Sequence, residues 1–294
     1  MKNTETDKRI RKHCLLRRTI IAAVLAGLCI WAFYIGLTLW VYEIETDKIP
    51  AEKSVRIVAV TDLHSHIYGK DQRPLIDMII KQQPDIIALV GDIADDEEPD
   101  DGTRLLLEGI REIAPMYYVS GNHEYWSDGY DDIKSMMENY GVTVLDNESE
   151  DIIVNGVRLC ISGVDDPYMF DYTEDSDYLE MGGEEELFRQ RFSDMDSSVF
   201  NVLLAHRPEL INLYRQYGFD LVLSGHTHGG QIRVPLLING LFAPDQGWFP
   251  KYAGGRYNFG DQTMIVSRGL AFNDLIPRLF NPPEVVVVNI KGNS

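Results

Sequence analysis

Cysteine is scarce in this chain, which contains three cysteines among 294 residues. Cys14 and Cys29 lie beside and inside a long apolar stretch near the N-terminus, which leaves Cys160 alone in the rest of the sequence. A disulfide within that remainder is excluded, and so is a small fold that depends on disulfide staples. Cys160 lies in an apolar run, and we expect it to be a buried thiol.

Basic residues are also few, because 27 Lys and Arg face 46 Asp and Glu, for a formal net charge of −19. The segment 1–42 carries a net charge of +5, so the remaining residues carry −24. A field of this sign repels nucleic acid and anionic surfaces, and we expect no nucleic-acid partner. The sequence also lacks internal repeats and low-complexity tracts, which argues against a solenoid. No feature of the sequence indicates an obligate protein partner.

Charged residues are absent from residues 19–42, an apolar stretch that would form a helix roughly 36 Å long. That length spans a bilayer. Basic residues dominate the segment 1–18, so the positive-inside rule places the N-terminus in the cytoplasm and the rest outside. We predict a single-pass protein of the cell membrane with a tail at 1–18, an anchor at 19–42, a linker at 43–53 and a folded domain at 54–294.

A cleavable signal peptide is the alternative to an anchor. The apolar stretch is longer than the ~7–15 residues usual in such peptides, and no Ala-x-Ala-like site follows before Glu43. The anchor is therefore favoured. Arg17 and Arg18 also resemble a twin-arginine export signal, although paired arginines are common before anchors as topology signals.

Apolar runs typical of buried strands alternate with helical periodicity along the domain. Predicted strands lie at 55–60, 85–90, 116–119, 200–204, 220–223, 264–266 and 284–290, and short strands joined by turns lie at 142–162. Helices are predicted to begin near Pro74, at Thr103 as the N-cap and at Pro208, with a short helix at 184–192. The first three strands and their helices form two successive βαβ units, and 142–162 indicates a second, partly antiparallel sheet.

Histidine is rare as well, yet five of the seven histidines lie in polar clusters directly after predicted strands. These clusters contain Asp62 and His64, Asp92, Asn122 and His123, His206, and His226 and His228. Strand ends gather ligands in α/β sheets, and these donors suit manganese, iron or zinc better than calcium. They are too many for one ion, so two divalent cations are implied. Strand alternation is expected to direct Asp62 and His64 to one side.

The ordered motifs Asp-x-His, Gly-Asp, Gly-Asn-His-Glu, a single His and Gly-His-Thr-His resemble those of the calcineurin-like metallophosphoesterase superfamily. The resemblance covers about residues 54–290 and implies a four-layer αββα sandwich of two mixed sheets. The segments 225–235, 267–269 and 278–284 resemble a membrane-anchored bacterial branch. Its members include cell-surface phosphoesterases and an enzyme that cleaves a UDP-diacylglucosamine lipid precursor.

The resemblance implies a role for each matching residue. It gives the first metal the ligands Asp62, His64 and His228, shares Asp92 between both metals, and gives the second metal Asn122, His206 and His226. His123 would face the leaving-group oxygen. The implied reaction is hydrolysis of a phosphate ester by a metal-activated hydroxide, with His123 as the catalytic side chain that protonates the leaving group or stabilises its charge.

Two other functions remain open at this point. The substrate could be a UDP-linked lipid such as UDP-2,3-diacylglucosamine, or the chain could be a non-catalytic surface binding module on the same scaffold. The complete ligand set argues against a decayed site. Arg233 and Arg268 are expected either to bind a substrate phosphate or to form structural ion pairs.

Two segments also have two interpretations. The aromatic residues Phe242, Trp248, Phe249 and Tyr252 either pack normally or enter a lipid interface. The acidic segment 165–198 is either a solvated insertion or a lid over the site.

Overall fold

The fold is built from the alternating strands and helices that the sequence predicts. The computed structural model describes residues 2–127, 129–172, 183–272 and 276–293, without the side chains of residues 2–9, 171 and 172. The helices are α1 (Lys2–Ala32), α2 (Arg73–Lys81), α3 (Asp101–Ile110), α4 (Asn122–Trp126), α5 (Tyr130–Asn139), α6 (Met169–Tyr172), α7 (Gly183–Phe192) and α8 (Ile211–Tyr214). Short 3₁₀ turns lie at Lys70–Gln72, Pro208–Leu210 and His228–Gly230.

The strands form two six-stranded mixed sheets and one small hairpin. They are β1 (Thr38–Thr46), β2 (Ser54–Val60), β3 (Ile86–Val90), β4 (Met116–Val119), β5 (Val142–Val144), β6 (Ser149–Val154), β7 (Val157–Val164), β8 (Phe200–Ala205), β9 (Leu221–Ser224), β10 (Phe242–Ala243), β11 (Gly247–Trp248), β12 (Gly255–Phe259), β13 (Gln262–Val266) and β14 (Glu284–Gly292). The first sheet has the order β1-β14-β2-β3-β4-β5, and the second has the order β12-β13-β9-β8-β7-β6.

The two sheets pack face to face, and helices cover their outer faces. Ile57 and Val202 belong to the core between the sheets, whereas Val58 packs with the helical residues on the outer face of the first sheet. Phe188 of α7 and Tyr214 of α8 cover the second sheet. Side chains alternate between the two faces of each buried strand, which explains the continuous apolar runs in the sequence. The predicted four-layer αββα sandwich is confirmed.

The chain enters the first sheet earlier than the sequence analysis predicts. The helix ends at Ala32, and residues of the predicted anchor and linker form β1, which pairs in parallel with β14 from Thr38 to Thr46. Tyr42 and Ile44 pack into the core between the sheets, and Leu39 packs on the opposite face. The apolar residues after Ala32 thus extend a sheet rather than a helix.

The N-terminal helix remains long and apolar enough to cross a membrane. Its segment Ile10–Ala32 has 23 residues that meet this condition by length and composition. The predicted anchor at 19–42 therefore ends ten residues too late. The linker at 43–53 is not a linker throughout, since β1 extends to Thr46.

Smaller predictions also need correction. Residues 142–144 form β5 at the edge of the first sheet, whereas only β6 and β7 of the predicted region belong to the second sheet. Thr103 is not an N-cap, because α3 begins at Asp101 and the Thr103 hydroxyl donates to the Ile93 carbonyl. The segment 165–198, predicted as an insertion or a lid, includes residues 173–182, which lie outside the described residues.

Candidate metal centre

The predicted ligands all follow strands that end at one edge of the two-sheet sandwich. The first sheet supplies four of them after β2, β3 and β4, namely Asp62, His64, Asp92 and Asn122. The second sheet supplies three after β8 and β9, namely His206, His226 and His228. The centre therefore lies between the two sheets, where loops from both converge.

Most of these ligands have an unusual backbone conformation. Positive φ angles of 46° to 69° occur at five of the seven, which are Asp62, His64, Asp92, His226 and His228. Such angles are uncommon for residues with a Cβ and tend to cluster at functional sites. Asp62 and His64 are thus brought together by a left-handed turn after β2, which ends at Val60, and the expected strand alternation is wrong.

Backbone hydrogen bonds join the ligand loops to one another. The Asp62 N–H donates to the Gly91 carbonyl at 3.0 Å, and the His64 N–H donates to the Asp92 carbonyl at 2.9 Å. Across the two sheets, the His226 N–H donates to Asp62 Oδ1 at 2.7 Å. These bonds hold the loops in register and offset part of the cost of the left-handed turns.

Glu124, the last residue of the Gly-Asn-His-Glu motif, fixes two of these loops. Its buried carboxylate accepts backbone N–H bonds from Gly121, Asp92, Ile93 and Ala94. Burial and the nearby Asp92 carboxylate raise the pKa of Glu124 to about 7. The sequence analysis gives Glu124 no role, although its place in the motif is a usable signal.

Close packing explains the glycines beside the ligands. A Cβ on Gly91 would lie 2.3 Å from His206 Nδ1, and a Cβ on Gly121 would lie 2.2 Å from Asp92 Oδ1. Gly91 also has a φ of 75°, which favours glycine. Neither position can carry a side chain without displacing a ligand.

The predicted ligands form two adjacent groups. Ligand atoms of Asp62, His64 and His228 lie within 4.8 Å of one another, and so do those of Asp92, His206 and His226. Asp92 lies between the groups, because its Oδ2 is 3.6 Å from His64 Nε2 and 3.0 Å from His206 Nε2. Asn122 is buried at the same edge. This arrangement matches two candidate metal sites with Asp92 between them.

Several atoms of the predicted ligands are buried without a hydrogen-bond partner among the residues that the structure describes. They are Asp62 Oδ2, His64 Nε2, Asn122 Oδ1 and His228 Nδ1. Buried polar atoms are rarely unpaired in native proteins. Each of these atoms carries a lone pair that a divalent cation could accept, and the mixed oxygen and nitrogen set suits manganese, iron or zinc. The residues present therefore fit the implied cations.

The Nδ1 atoms of His206 and His64 each lie at hydrogen-bond distance from an oxygen, as is usual for metal-binding imidazoles. His206 Nδ1 lies 3.0 Å from the Val90 carbonyl, and His64 Nδ1 lies 2.7 Å from Asp95 Oδ1. When Nδ1–H donates to an oxygen, Nε2 keeps its lone pair for a cation. Burial lowers the pKa of His228, which also keeps that imidazole neutral.

His123 lies next to the centre but outside both ligand groups. Its N–H donates to Asp92 Oδ1 at 2.9 Å, and its Nδ1 lies 2.6 Å from Asp96 Oδ1 and 3.3 Å from Asp95 Oδ1. Burial opposes protonation, but the hydrogen bonds to Asp95 and Asp96 and the charge of Asp92 raise the pKa of His123 to about 9. The side chain is 25% exposed, so a substrate can reach it.

The structure adds acidic neighbours that the sequence analysis missed. Asp95 contacts both His64 and His123, whereas Asp96 contacts His123. Both lie three or four residues after Asp92 in the sequence, which is a signal that could have been used. Their contacts depend on a loop whose path the sequence does not reveal.

A buried arginine lies beside the second group. Arg207 forms an ion pair with Asp166 and another with Asp245, and its Nη1 lies 3.0 Å from His226 Nε2. Asp245 Oδ2 is 2.9 Å from the same His226 nitrogen. Arg207 follows His206 directly at a strand end, whereas Asp245 lies in a segment with no such signal. Asp166 is buried, so the beginning of the acidic segment is not a solvated surface.

Arg233 and Arg268 lie outside these ligand groups. They line a cavity of about 480 Å³ whose described walls include none of the seven predicted ligands. Arg268 also forms a buried ion pair with Glu284. In the aromatic segment 242–252, Tyr252 is buried, whereas Trp248 and Phe249 are exposed.

Comparison with known proteins places these observations in context. A sequence profile described as calcineurin-like phosphoesterase matches residues 55–230. An uncharacterized metallophosphoesterase of Aquifex aeolicus is 30% identical over 86% of this chain and 91% of that protein. One from Campylobacter jejuni is 28% identical over 98% of this chain and 74% of that protein.

Two further similarities concern a membrane protein and a solved structure. A Bos taurus transmembrane protein with metallophosphoesterase domain is 28% identical over 83% of this chain and 54% of that protein. The crystal structure of phosphopantetheinyl hydrolase from Mycobacterium tuberculosis gives a TM-score of 0.46 at 14% identity, covering 76% of this chain and 92% of that one.

Proposed function

The chain belongs to the calcineurin-like phosphoesterase family and is a metal-dependent phosphoric ester hydrolase; on this premise we propose that two divalent cations work together in one centre. The position of Asp92 between two ligand groups carries the proposal. The unpaired atoms of Asp62, His64, Asn122 and His228 support it independently. Manganese, iron and zinc all suit this donor set.

The cations, when bound, supply the positive charge that attracts a phosphate ester and acidifies water near neutral pH. The contribution of the protein is to hold the donor side chains in position. Asp92 stays ionised because the neighbouring His206 keeps its pKa well below the usual range, although burial opposes this. Hydrogen bonds among the ligand loops hold the donors in place before substrate arrives.

His123 is proposed as the proton donor to the leaving group. Asp95 and Asp96 occupy its Nδ1 side, so Nε2 is the ring nitrogen that remains for a substrate. With a pKa of about 9, the imidazole is protonated at neutral pH. It can therefore donate a proton from Nε2 to the departing oxygen, a contribution of typically about 10²–10⁴-fold.

The N-terminal helix and the Bos taurus relative suggest a membrane protein. We propose that α1 anchors the chain, with the N-terminus in the cytoplasm and the domain outside, because basic residues precede the apolar segment. A lipid or nucleotide-activated lipid, such as a UDP-linked lipid, would then reach the centre from the same membrane. The alternative is a non-catalytic surface binding module, against which the complete ligand set argues.

The decisive experiment is an assay of the full-length chain in detergent after metal removal and reconstitution with manganese, iron or zinc. Nitrophenyl phosphate, bis(nitrophenyl) phosphate and a UDP-linked lipid test monoester, diester and pyrophosphate cleavage. We expect turnover of at least one substrate with about two metals per chain. Two bound metals without turnover would support the binding module, and turnover with a single metal would contradict the two-metal proposal.

Orientation is tested separately. Protease added to intact cells whose wall has been removed should digest the domain, while the N-terminal tail remains protected. Full protection of the domain would reverse the proposed orientation without affecting the metal centre.

A further inference from the structure

The cavity that holds Arg233 and Arg268 lies where the apolar helix meets the domain. The Phe280 N–H donates to the carbonyl of Ala32, the last residue of α1, at 2.7 Å, and the rings of Phe280 and Trp31 are 4.9 Å apart. Phe280 also forms part of the cavity wall, with Trp40 and Tyr42 of β1. The cavity therefore lies beside the C-terminal end of α1.

The charged residues of this cavity leave one positive charge without a counter-ion. Arg268 is neutralised by Glu284 and stacks over the Trp40 ring at 4.9 Å. Arg233 is half-buried and donates a hydrogen bond to Asn239, and within the described part of the chain it has no carboxylate at ion-pair distance. Burial and the nearby Arg268 lower the pKa of Arg233. An anion in the cavity would stabilise both guanidinium groups.

One wall of the cavity is a protruding apolar turn. Leu236 is fully exposed, and Leu237 is 82% exposed. The turn closes its own backbone hydrogen bonds, because Val234 and Ile238 exchange N–H donors and the Leu237 N–H donates to the Val234 carbonyl. The N–H groups of Val234, Leu237 and Ile238 are paired within the turn, which lowers the cost of moving the two leucines at its tip into an apolar phase.

Exposed aromatic residues surround the same end of the helix. Trp31, Phe33 and Tyr34 are all exposed where α1 gives way to the domain. Trp and Tyr are enriched at membrane boundaries, where their apolar rings and polar groups are both accommodated. With α1 in a membrane, these aromatic residues would lie at the boundary between lipid and water.

We propose that this cavity binds the headgroup of one anionic phospholipid from the leaflet in which α1 ends. Arg233 contacts the lipid phosphate, and the Leu236–Leu237 turn lies among the adjacent acyl chains. The apolar turn and the aromatic wall favour a lipid over a soluble phosphate, which would gain nothing from either. The proposal rests on the membrane anchor of the proposed function, but it concerns a site apart from the metal centre and does not depend on the proposed reaction.

The overall negative charge of the domain does not oppose a single bound headgroup strongly. Exposed charges are screened over about 8 Å at physiological ionic strength. The groups that matter are those in the cavity, where Arg233 supplies the uncompensated charge. A broad attraction to anionic membranes is not part of the proposal.

The test uses the full-length chain in nanodiscs of phosphatidylcholine containing phosphatidylglycerol. Native mass spectrometry then counts the phosphatidylglycerol molecules that remain bound to the released protein. Arg233→Gln should reduce this retention at least fivefold. The matched control is Arg111→Gln, a change at an exposed arginine directly after α3, and it should retain lipid like the unchanged chain. Equal retention by Arg233→Gln and the unchanged chain would overturn the proposal.

A competition arm separates lipid from free phosphate. Glycerol phosphate at the same concentration as the lipid should leave retention unchanged, and full displacement would show that the cavity recognises a soluble anion instead.

A double variant, Leu236→Asn with Leu237→Asn, tests the apolar turn. It should lower the retention of both phosphatidylcholine and phosphatidylglycerol, whereas Arg233→Gln should affect phosphatidylglycerol alone. The metal content of every variant is measured as a check that the domain has folded. If Arg233→Gln loses metal, Arg233→Lys replaces it in the test. Arg233→Lys keeps the positive charge and should therefore retain part of the lipid binding.

Discussion

The two sheets supply different chemistry to the metal centre. Both predicted carboxylate ligands, Asp62 and Asp92, come from the first sheet, whereas the second sheet supplies only imidazoles. The first sheet also positions its partner, since the Val90 carbonyl accepts from His206 and the Asp62 carboxylate accepts from His226. The carboxylates and the loop-positioning bonds of the centre are therefore concentrated in the first sheet, and the second sheet completes the donor set with imidazole nitrogens.

The largest expected effect follows from removing the charge between the two ligand groups. Asp92→Asn keeps the shape of the side chain but loses the carboxylate that faces His64 and His206. We expect metal affinity to fall more than the roughly 10–100-fold typical of outer-shell changes, with loss of turnover. Elemental analysis and activity measure this, with Asp131→Asn on the exposed surface of α5 as the control. Two metals and normal turnover in Asp92→Asn would contradict the central role of the first sheet.

The next effect concerns His123, the proposed proton donor, which also follows a strand of the first sheet. His123→Asn should keep metal and lower kcat by about 10²–10⁴-fold for alkyl phosphate esters, whose leaving groups need a proton. A nitrophenyl ester should lose much less, because its phenolate departs without protonation. Equal losses for the two esters would leave His123 with a positioning role only.

A smaller effect separates two neighbouring carboxylates. Asp95 contacts both His64 and His123, whereas Asp96 contacts His123. Asp95→Asn should therefore weaken metal binding about 10–100-fold and also lower kcat. Asp96→Asn should lower kcat but retain metal. Indistinguishable metal affinities for the two variants would mean that Asp95 does not orient His64.

The smallest effect is on stability, since cations at this edge would join the two sheets. At metal concentrations about 100 times the dissociation constant, each binding site adds about 2.7 kcal/mol to the free energy of unfolding. For a domain of this size that corresponds to a rise in Tm of roughly 5–11 °C. Calorimetry with and without a chelator measures it. Asp92→Asn should show little metal-dependent shift, and a full shift in that variant would place the stabilising cation elsewhere.

The meeting place of the candidate ligands could be predicted from sequence, because each motif is short and follows an apolar strand. Asp62, Asp92 and Asn122 are recognisable without knowing how the sheets pack. The positive φ angles of five candidate ligands could not be predicted in this way, since such angles are uncommon even for Asp and His. The acidic neighbours Asp166 and Asp245 were missed because they meet Arg207 only through the tertiary fold.

The first strand was missed for a different reason. The residues around Trp40 continue the apolar composition of the helix before them, so no polar break marks the end of α1. Only the pairing of β1 with β14, far away in the sequence, determines that these residues are extended. Composition correctly predicts an apolar segment, but it does not show where the helix ends and the strand begins. That boundary depends on a long-range contact.

The short connection between α1 and β1 limits how far the enzyme can move. Five residues, 33–37, join the helix to the sheet, and even fully extended they reach at most about 18 Å. With α1 in a membrane, the domain would be held close to the membrane surface, because β1 is paired along its whole length with β14. Such an enzyme searches for substrate by diffusing in two dimensions, and its encounter rate would depend on the fluidity of the bilayer more than on the volume of the compartment.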